Sequence, residues 1–180
     1  MIRTFIALPI PDDIKERLAD TITQLKGKNR GVRWVRPEGM HLTLKFLGDT
    51  PEDLVPRISG ELDTAARGYH PLRLSLSGCG AFPNVRRPRV VWAGLAGDVE
   101  ELFSLAAFVE TACARCGVPQ ERRPFSAHIT LGRLKAPTML DLGIDSFTGM
   151  FTVSEVLLHR SELLPSGARY TVLHRSSLGS

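Results

Sequence analysis

The 180 residues carry 43% apolar and 23% charged side chains, the balance of an ordinary globular chain long enough to bury a core in one large domain or a compact two-lobed one. No apolar run approaches the roughly 18 residues of a spanning helix, and the opening MIRTFIALPIPDD turns acidic too early for a signal peptide, so a cytoplasmic protein with no membrane partner is the expectation. The net charge of +4, carried mostly by arginine, permits an anionic partner, but no Lys/Arg block marks a nucleic-acid tail.

In chain order, Arg3 to Leu8 is a short apolar run closed by Pro9 and Pro11 and reads as a buried strand. Pro11-Asp12-Asp13 supplies a cap and an acidic first turn for a helix carrying Ile14, Leu18, Ile22 and Leu25 as far as Gly27. A basic loop leads to Trp34-Val35, and Arg36-Pro37-Glu38-Gly39 turns the chain into a strand from His41 to Leu47. A second helix runs from Thr50-Pro51 through Leu54, Ile58, Leu62 and Ala65 to Gly68. Leu72 to Ser77 alternates as a half-buried strand, and Gly78 to Arg89 reads as a loop.

The plan then repeats. Val90 to Ala93 is a strand, and a helix starting near Asp98 carries Leu102, Leu105, Phe108, Val109 and Ala112 until Gly117 stops it. The linker QERRPF delivers a second strand at His128. After the turn-rich LKAPTMLDLGIDSF, with room for one short helical turn, Phe151 to Leu158 and Tyr170 to Leu173 are strands joined by a loop over Ser161 to Gly167. The tail SSLGS reads as loose. Strand, helix, loop and His-x-Thr-Leu thus occur twice in the same order, so residues 1–180 read as one domain built by duplication of about 1–85 and 86–180, with two lobes related by an approximate two-fold axis. Hairpin-like joins favour antiparallel pairing, hence α+β.

The two His-x-Thr strands carry the chemistry. In a strand, His41 and Thr43 project from one face, as do His128 and Thr130, while Leu42, Leu44, Ile129 and Leu131 face a core. Two imidazoles titrating near neutrality can serve phosphoryl transfer from opposite sides of phosphorus, one taking a proton from the attacking oxygen and the other giving one to the leaving oxygen. Threonine hydroxyls donate to non-bridging oxygens, and an arginine neutralises charge. This chemistry needs no cofactor, and the sequence has neither His-Glu-x-x-His nor a GxxxxGK loop. Arg133 lies five residues after His128, the wrong parity for its face unless the strand bends near Gly132. Lys45 has the right parity with His41 but reads as a solvated strand end. His70, His159 and His174 read as structural or surface residues, and Phe5, Ile6, Trp34 and Trp92 as core. The three cysteines, an odd number, build no disulfide framework, and Cys113-Ala-Arg-Cys116 reads as two buried helical thiols, not a metal or redox pair.

WVRPEGMHLTLKFLGD and RPFSAHITLGR, with the opening RTFIALPIP and the closing SELLPSGARYTVL, resemble the RNA 2′,3′-cyclic phosphodiesterases, or 2′-5′ RNA ligase family, of the 2H phosphoesterase superfamily. The resemblance spans nearly the whole chain. It implies two antiparallel sheets flanked by helices with the site in a groove between lobes, and hydrolysis of an RNA terminal 2′,3′-cyclic phosphate to a 2′-phosphomonoester without metal or ATP. A reversible 2′-5′ joining of tRNA halves is implied as well. By motif position His41 and His128 are the catalytic pair, Thr43 and Thr130 bind substrate, and Arg133 matches an arginine that contacts the phosphate. His41 is assigned to protonate O3′ and His128 to activate water. Ala127 stands where the family usually has proline, which touches backbone stiffness and no reacting group. A non-catalytic nucleotide- or RNA-binding module and a phosphodiesterase of small cyclic phosphates are the alternatives. No heptad or long apolar edge asks for a partner chain, so a monomer is expected.

Overall fold

A computed structural model describes residues 1–144 and 148–179. The opening apolar run forms β1 (Ile2–Leu8), buried at almost every position because it is an inner strand with neighbours on both edges. Helix α1 (Asp12–Lys28) follows, its acidic residues in the first turn acting on the helix dipole, not as side-chain caps. The Asn29 side-chain amide closes its far end by donating to the Leu25 carbonyl at 2.9 Å. The short β2 (Val32–Trp34), a 3-10 turn at Pro37–Gly39 and β3 (Leu42–Thr50) come next, then a second 3-10 turn at Glu52–Leu54, α2 (Val55–Arg67), β4 (Leu72–Phe82), β5 (Val90–Gly97) and α3 (Val99–Arg115). Gly117, at φ +86°, ends α3 as expected, with the Val118 N–H returning to the Cys113 carbonyl at 3.1 Å. The chain closes with β6 (His128–Leu134), β7 (Met150–Val153), β8 (Glu155–Leu164) and β9 (Gly167–Ser177).

The strands form two antiparallel sheets, ordered β3-β1-β8-β9 and β2-β6-β5-β4-β7, and the fold is α+β. In each sheet the strand of a His-x-Thr motif lies beside the strand that opens its half of the chain, which in turn lies beside a strand from the other half. Each sheet is therefore assembled from both halves. Helices α2 and α3 pack on each other, with α2 against β9 and α3 against β3. The sheets adjoin where β3 meets β6, and this junction carries both motifs.

Several boundaries differ from those expected. The run Phe151 to Leu158 is two strands: Phe151 and Val153 are buried in alternation in β7, Val156, Leu157 and Leu158 are buried consecutively in β8, and the chain changes sheet at Ser154. Strand β4 continues through Gly78, which holds φ +68° at a bulge, as far as Phe82. The presumed loop Ser161 to Gly167 is mostly ladder, with Leu164 opposite Gly167 and only two residues in the turn. The tail is docked, since Leu178 is buried and its N–H donates to the Ser154 carbonyl at 2.8 Å. Residues 135–144 hold no helical turn, and the rest of that turn-rich stretch, 145–147, lies outside the described residues. No helix among the described residues is long and apolar enough to cross a membrane.

Candidate active site

Both motifs carry a β-bulge at the same place. On β3 the ladder to β1 pairs Thr43 with Ala7 and Lys45 with Ile6, leaving Leu44 extra. On β6 the ladder to β5 pairs Thr130 with Trp92 and Gly132 with Val91, leaving Leu131 extra. An inserted residue reverses facing parity for everything after it. Arg133, opposite Val90, therefore returns to the face of Thr130 and His128, which resolves the parity objection to it. The same shift turns Phe46 onto the face of His41 and Thr43, with its ring 6.0 Å from that of Phe5 and 68% exposed.

Lys45 is turned the other way, which corrects its reading as a solvated strand end. Its side chain is only 4% exposed, and its ammonium donates to Glu110 of α3 at 2.5 Å and to the Pro119 carbonyl at 3.0 Å. Glu110 also accepts the Glu121 N–H at 2.6 Å, so this buried pair ties β3 to the linker that delivers the second motif.

His41 sits in a ring cluster. Its centroid lies 5.4 Å from Phe5, 4.9 Å edge-on to Tyr170 and 5.0 Å from His159. His159, expected to be a structural or surface residue, is 5% exposed, stacks on Phe5 at 4.8 Å, and neither of its ring nitrogens has a hydrogen-bond partner among the described residues. Burial, then the neighbouring His159, then Lys15 push the His41 pKa down to about 4. Burial, Arg175 and Lys15 push His159 to about 4 as well. His174 is structural as expected, its ring 2.8 Å from the Asp63 carboxylate on α2.

His128 is held differently. Its Nδ1 donates to the Ser126 carbonyl at 2.8 Å, and because a carbonyl only accepts, the neutral ring keeps the lone pair of Nε2 for another partner. Its edge meets Phe82 at 5.1 Å. Burial is the main cause of a lowered pKa, opposed by the Ser126 bond and aided by the Arg133 guanidinium. Phe82 leans on Trp92 at 5.3 Å, and the Trp92 indole occupies the space a side chain at Gly80 would need, with a Cβ there only 2.2 Å from Cζ2. Trp92 is thus half-buried packing in the site wall, while Phe5 and Ile6 are buried as expected.

Thr43 and Thr130 are half-buried, and neither hydroxyl has a hydrogen-bond partner among the described residues. Cys113 and Cys116 are buried and free, and burial holds the Cys113 thiol up at about 12. Among the described residues no group of three His, Cys, Asp or Glu side chains is arranged to hold a metal ion. Sequence reasoning did not single out Phe46, Phe82, Tyr170 or His159 for the site. Only Phe46 had a signal available, since it stands five residues after His41 as Arg133 does after His128.

Two bulged strands thus adjoin at the junction of two sheets, one presenting Thr43 and Phe46 with His41 just before its first residue, the other presenting His128, Thr130 and Arg133 on a common face. The chain belongs to the family described as LigT like Phosphoesterase, whose model matches residues 8–92 and 95–170. It is 35% identical to a protein of Methanothermobacter thermautotrophicus named RNA 2′,3′-cyclic phosphodiesterase, over 94% of this chain and 95% of that one. A protein of the same name from Archaeoglobus fulgidus is 36% identical over 93% and 96%. Among solved structures, Escherichia coli LigT complexed with 3′-AMP superposes with a TM-score of 0.85 at 30% identity, covering 99% of each chain.

Proposed function

We propose that this protein hydrolyses the terminal 2′,3′-cyclic phosphate of RNA to a 2′-phosphomonoester, with His41 and His128 as the acid and base. The observation that carries the reading is the paired bulge, which gives each motif strand a His, a Thr and a fifth-residue side chain on one face. The names of the relatives, RNA 2′,3′-cyclic phosphodiesterase, supply the substrate class.

In the proposed reaction His128 Nε2 takes a proton from water as the water oxygen bonds to phosphorus, the P–O3′ bond breaks, and His41 gives O3′ its proton. The Ser126 bond supports this order, because it leaves Nε2 of His128 the basic nitrogen. His41 is largely neutral in the free protein at pH 7, given its pKa of about 4, and a phosphate monoanion beside it favours the protonated form the acid role requires. Thr43, Thr130 and Arg133 hold the non-bridging oxygens. A 5′-hydroxyl in place of water yields a 2′-5′ linkage by the same displacement, so reversible joining of RNA ends such as tRNA halves is the companion activity. The shared strand order around both motifs supports an internal duplication across residues 1–85 and 86–180.

The test is to incubate EDTA-treated protein with a short RNA ending in a 2′,3′-cyclic phosphate and identify the product terminus. A 2′-phosphate is expected. A 3′-phosphate would reverse the leaving group and with it the regiochemistry, and no turnover by folded protein would overturn the reading.

A further inference from the structure

Residue Arg33 lies directly opposite Arg133 in the ladder between β2 and β6, and both are exposed. Like charges at directly opposed positions of an antiparallel pair repel, and their Cβ atoms stand only ~5 Å apart. Among the described residues neither guanidinium has a carboxylate or hydrogen-bond partner to offset this.

The register that creates the juxtaposition is pinned. Trp34 lies opposite Gly132, where a Cβ would come 3.0 Å from the Trp34 ring and 2.6 Å from Val32, so only glycine admits both side chains. The Val35 N–H donates to the carbonyl of the bulged Leu131 at 2.8 Å, extending the tie past the strand end. Val32 and Trp34 therefore fill the inner side, and Arg33 shares the outer face with Arg133, Thr130 and His128. Arg133 is near enough to His128 to lower its pKa, whereas Arg33 stands one strand further out on the sheet edge.

We infer that Arg33 and Arg133 together form a seat for two successive phosphates, with Arg33 holding the internal phosphodiester next to the cyclic end. This rests on the proposed reaction and deepens it, making the preferred substrate an oligonucleotide end and not a nucleoside cyclic phosphate. Guanidinium groups suit this role because they bind phosphate oxygens in a planar fork and keep their charge at any pH the enzyme meets.

The experiment compares kcat/KM for three substrates: a dinucleotide ending in a 2′,3′-cyclic phosphate, the same dinucleotide with an uncharged methylphosphonate internal link, and a nucleoside 2′,3′-cyclic monophosphate. Wild type is expected to favour the charged dinucleotide over the uncharged one by about tenfold at low salt, as one charge-assisted contact warrants. In Arg33→Gln that ratio falls towards one, and the salt dependence of log kcat/KM for the charged dinucleotide becomes shallower by ~0.7. A wild type with no preference for the charged link overturns the inference. So does an Arg33→Gln variant that loses activity equally on all three substrates, or one that keeps the wild-type ratio. Absence of turnover on every substrate is a different failure, since it removes the proposed reaction itself.

Discussion

Replacing His159 by phenylalanine is expected to stabilise the protein, and by more at acid pH. The imidazole is 5% exposed against the rings of Phe5 and His41, and both its nitrogens lack partners among the described residues. Burying a polar group without a hydrogen bond costs about 1–3 kcal/mol, so a ring of similar shape that keeps the Phe5 stack should gain about 2 kcal/mol at pH 7.5. The pH term adds to this. The folded-state pKa of about 4 lies below the ordinary 6.5, so between these values the unfolded chain binds the proton more readily and wild-type stability falls as pH falls. The loss is at most ~1.4 kcal/mol per pH unit, and roughly 1 after allowing for water at the cluster rim. His41 contributes a similar term to both proteins and cancels to first order. The variant lacks the His159 term, so the stability gap should widen from about 2 kcal/mol at pH 7.5 to about 3–4 at pH 5. Urea denaturation at both pH values measures it. A variant no more stable than wild type at pH 7.5, or a gap that fails to widen, would refute the reasoning.

Other consequences are as direct. Glu110→Ala leaves the buried Lys45 ammonium with only the Pro119 carbonyl and should cost about 3 kcal/mol in urea denaturation, the low end for an orphaned charge because Glu110 is 23% exposed. Gly80→Ala drives a Cβ into the Trp92 indole and through it displaces Phe82 from His128; a loss of about 1–3 kcal/mol and a fall in kcat are expected from melts and steady-state rates. With both motif histidines titrating below 6.5 in the free protein, one needed neutral and the other charged, kcat/KM should peak on the acid side of 6.5 and fall as pH rises, while kcat in the bound complex peaks higher. A kcat/KM plateau through pH 8 would contradict it.

The motifs were legible in the sequence because His-x-Thr in an apolar β-branched setting has the period of a strand, and its repetition in matching contexts sets both copies apart from the rest of the chain. The helices were legible for the same reason of period, down to the glycine that ends α3. The bulges were not, since nothing in HLTLKF or HITLGR announces an extra residue, and counting parity alone misassigned Lys45 and left Arg133 unplaced. The break at Ser154 was readable after the fact, as a change from alternating to continuous burial, but FTVSEVLL is apolar enough to pass for one strand. His159 carries no local signal at all. Its place beside His41 depends on β8 crossing from the second half of the chain to lie against β1, a pairing of distant segments that no short-range pattern encodes.

The central claim is that two histidines from two strands share one displacement. Single-turnover rates of His41→Ala and His128→Ala on a short RNA ending in a 2′,3′-cyclic phosphate, measured with the urea midpoints of the same preparations, test it most directly. Each variant should lose at least about a hundredfold in rate while remaining folded, as befits loss of a general acid or base. A folded variant at either position that keeps the wild-type rate would contradict the claim.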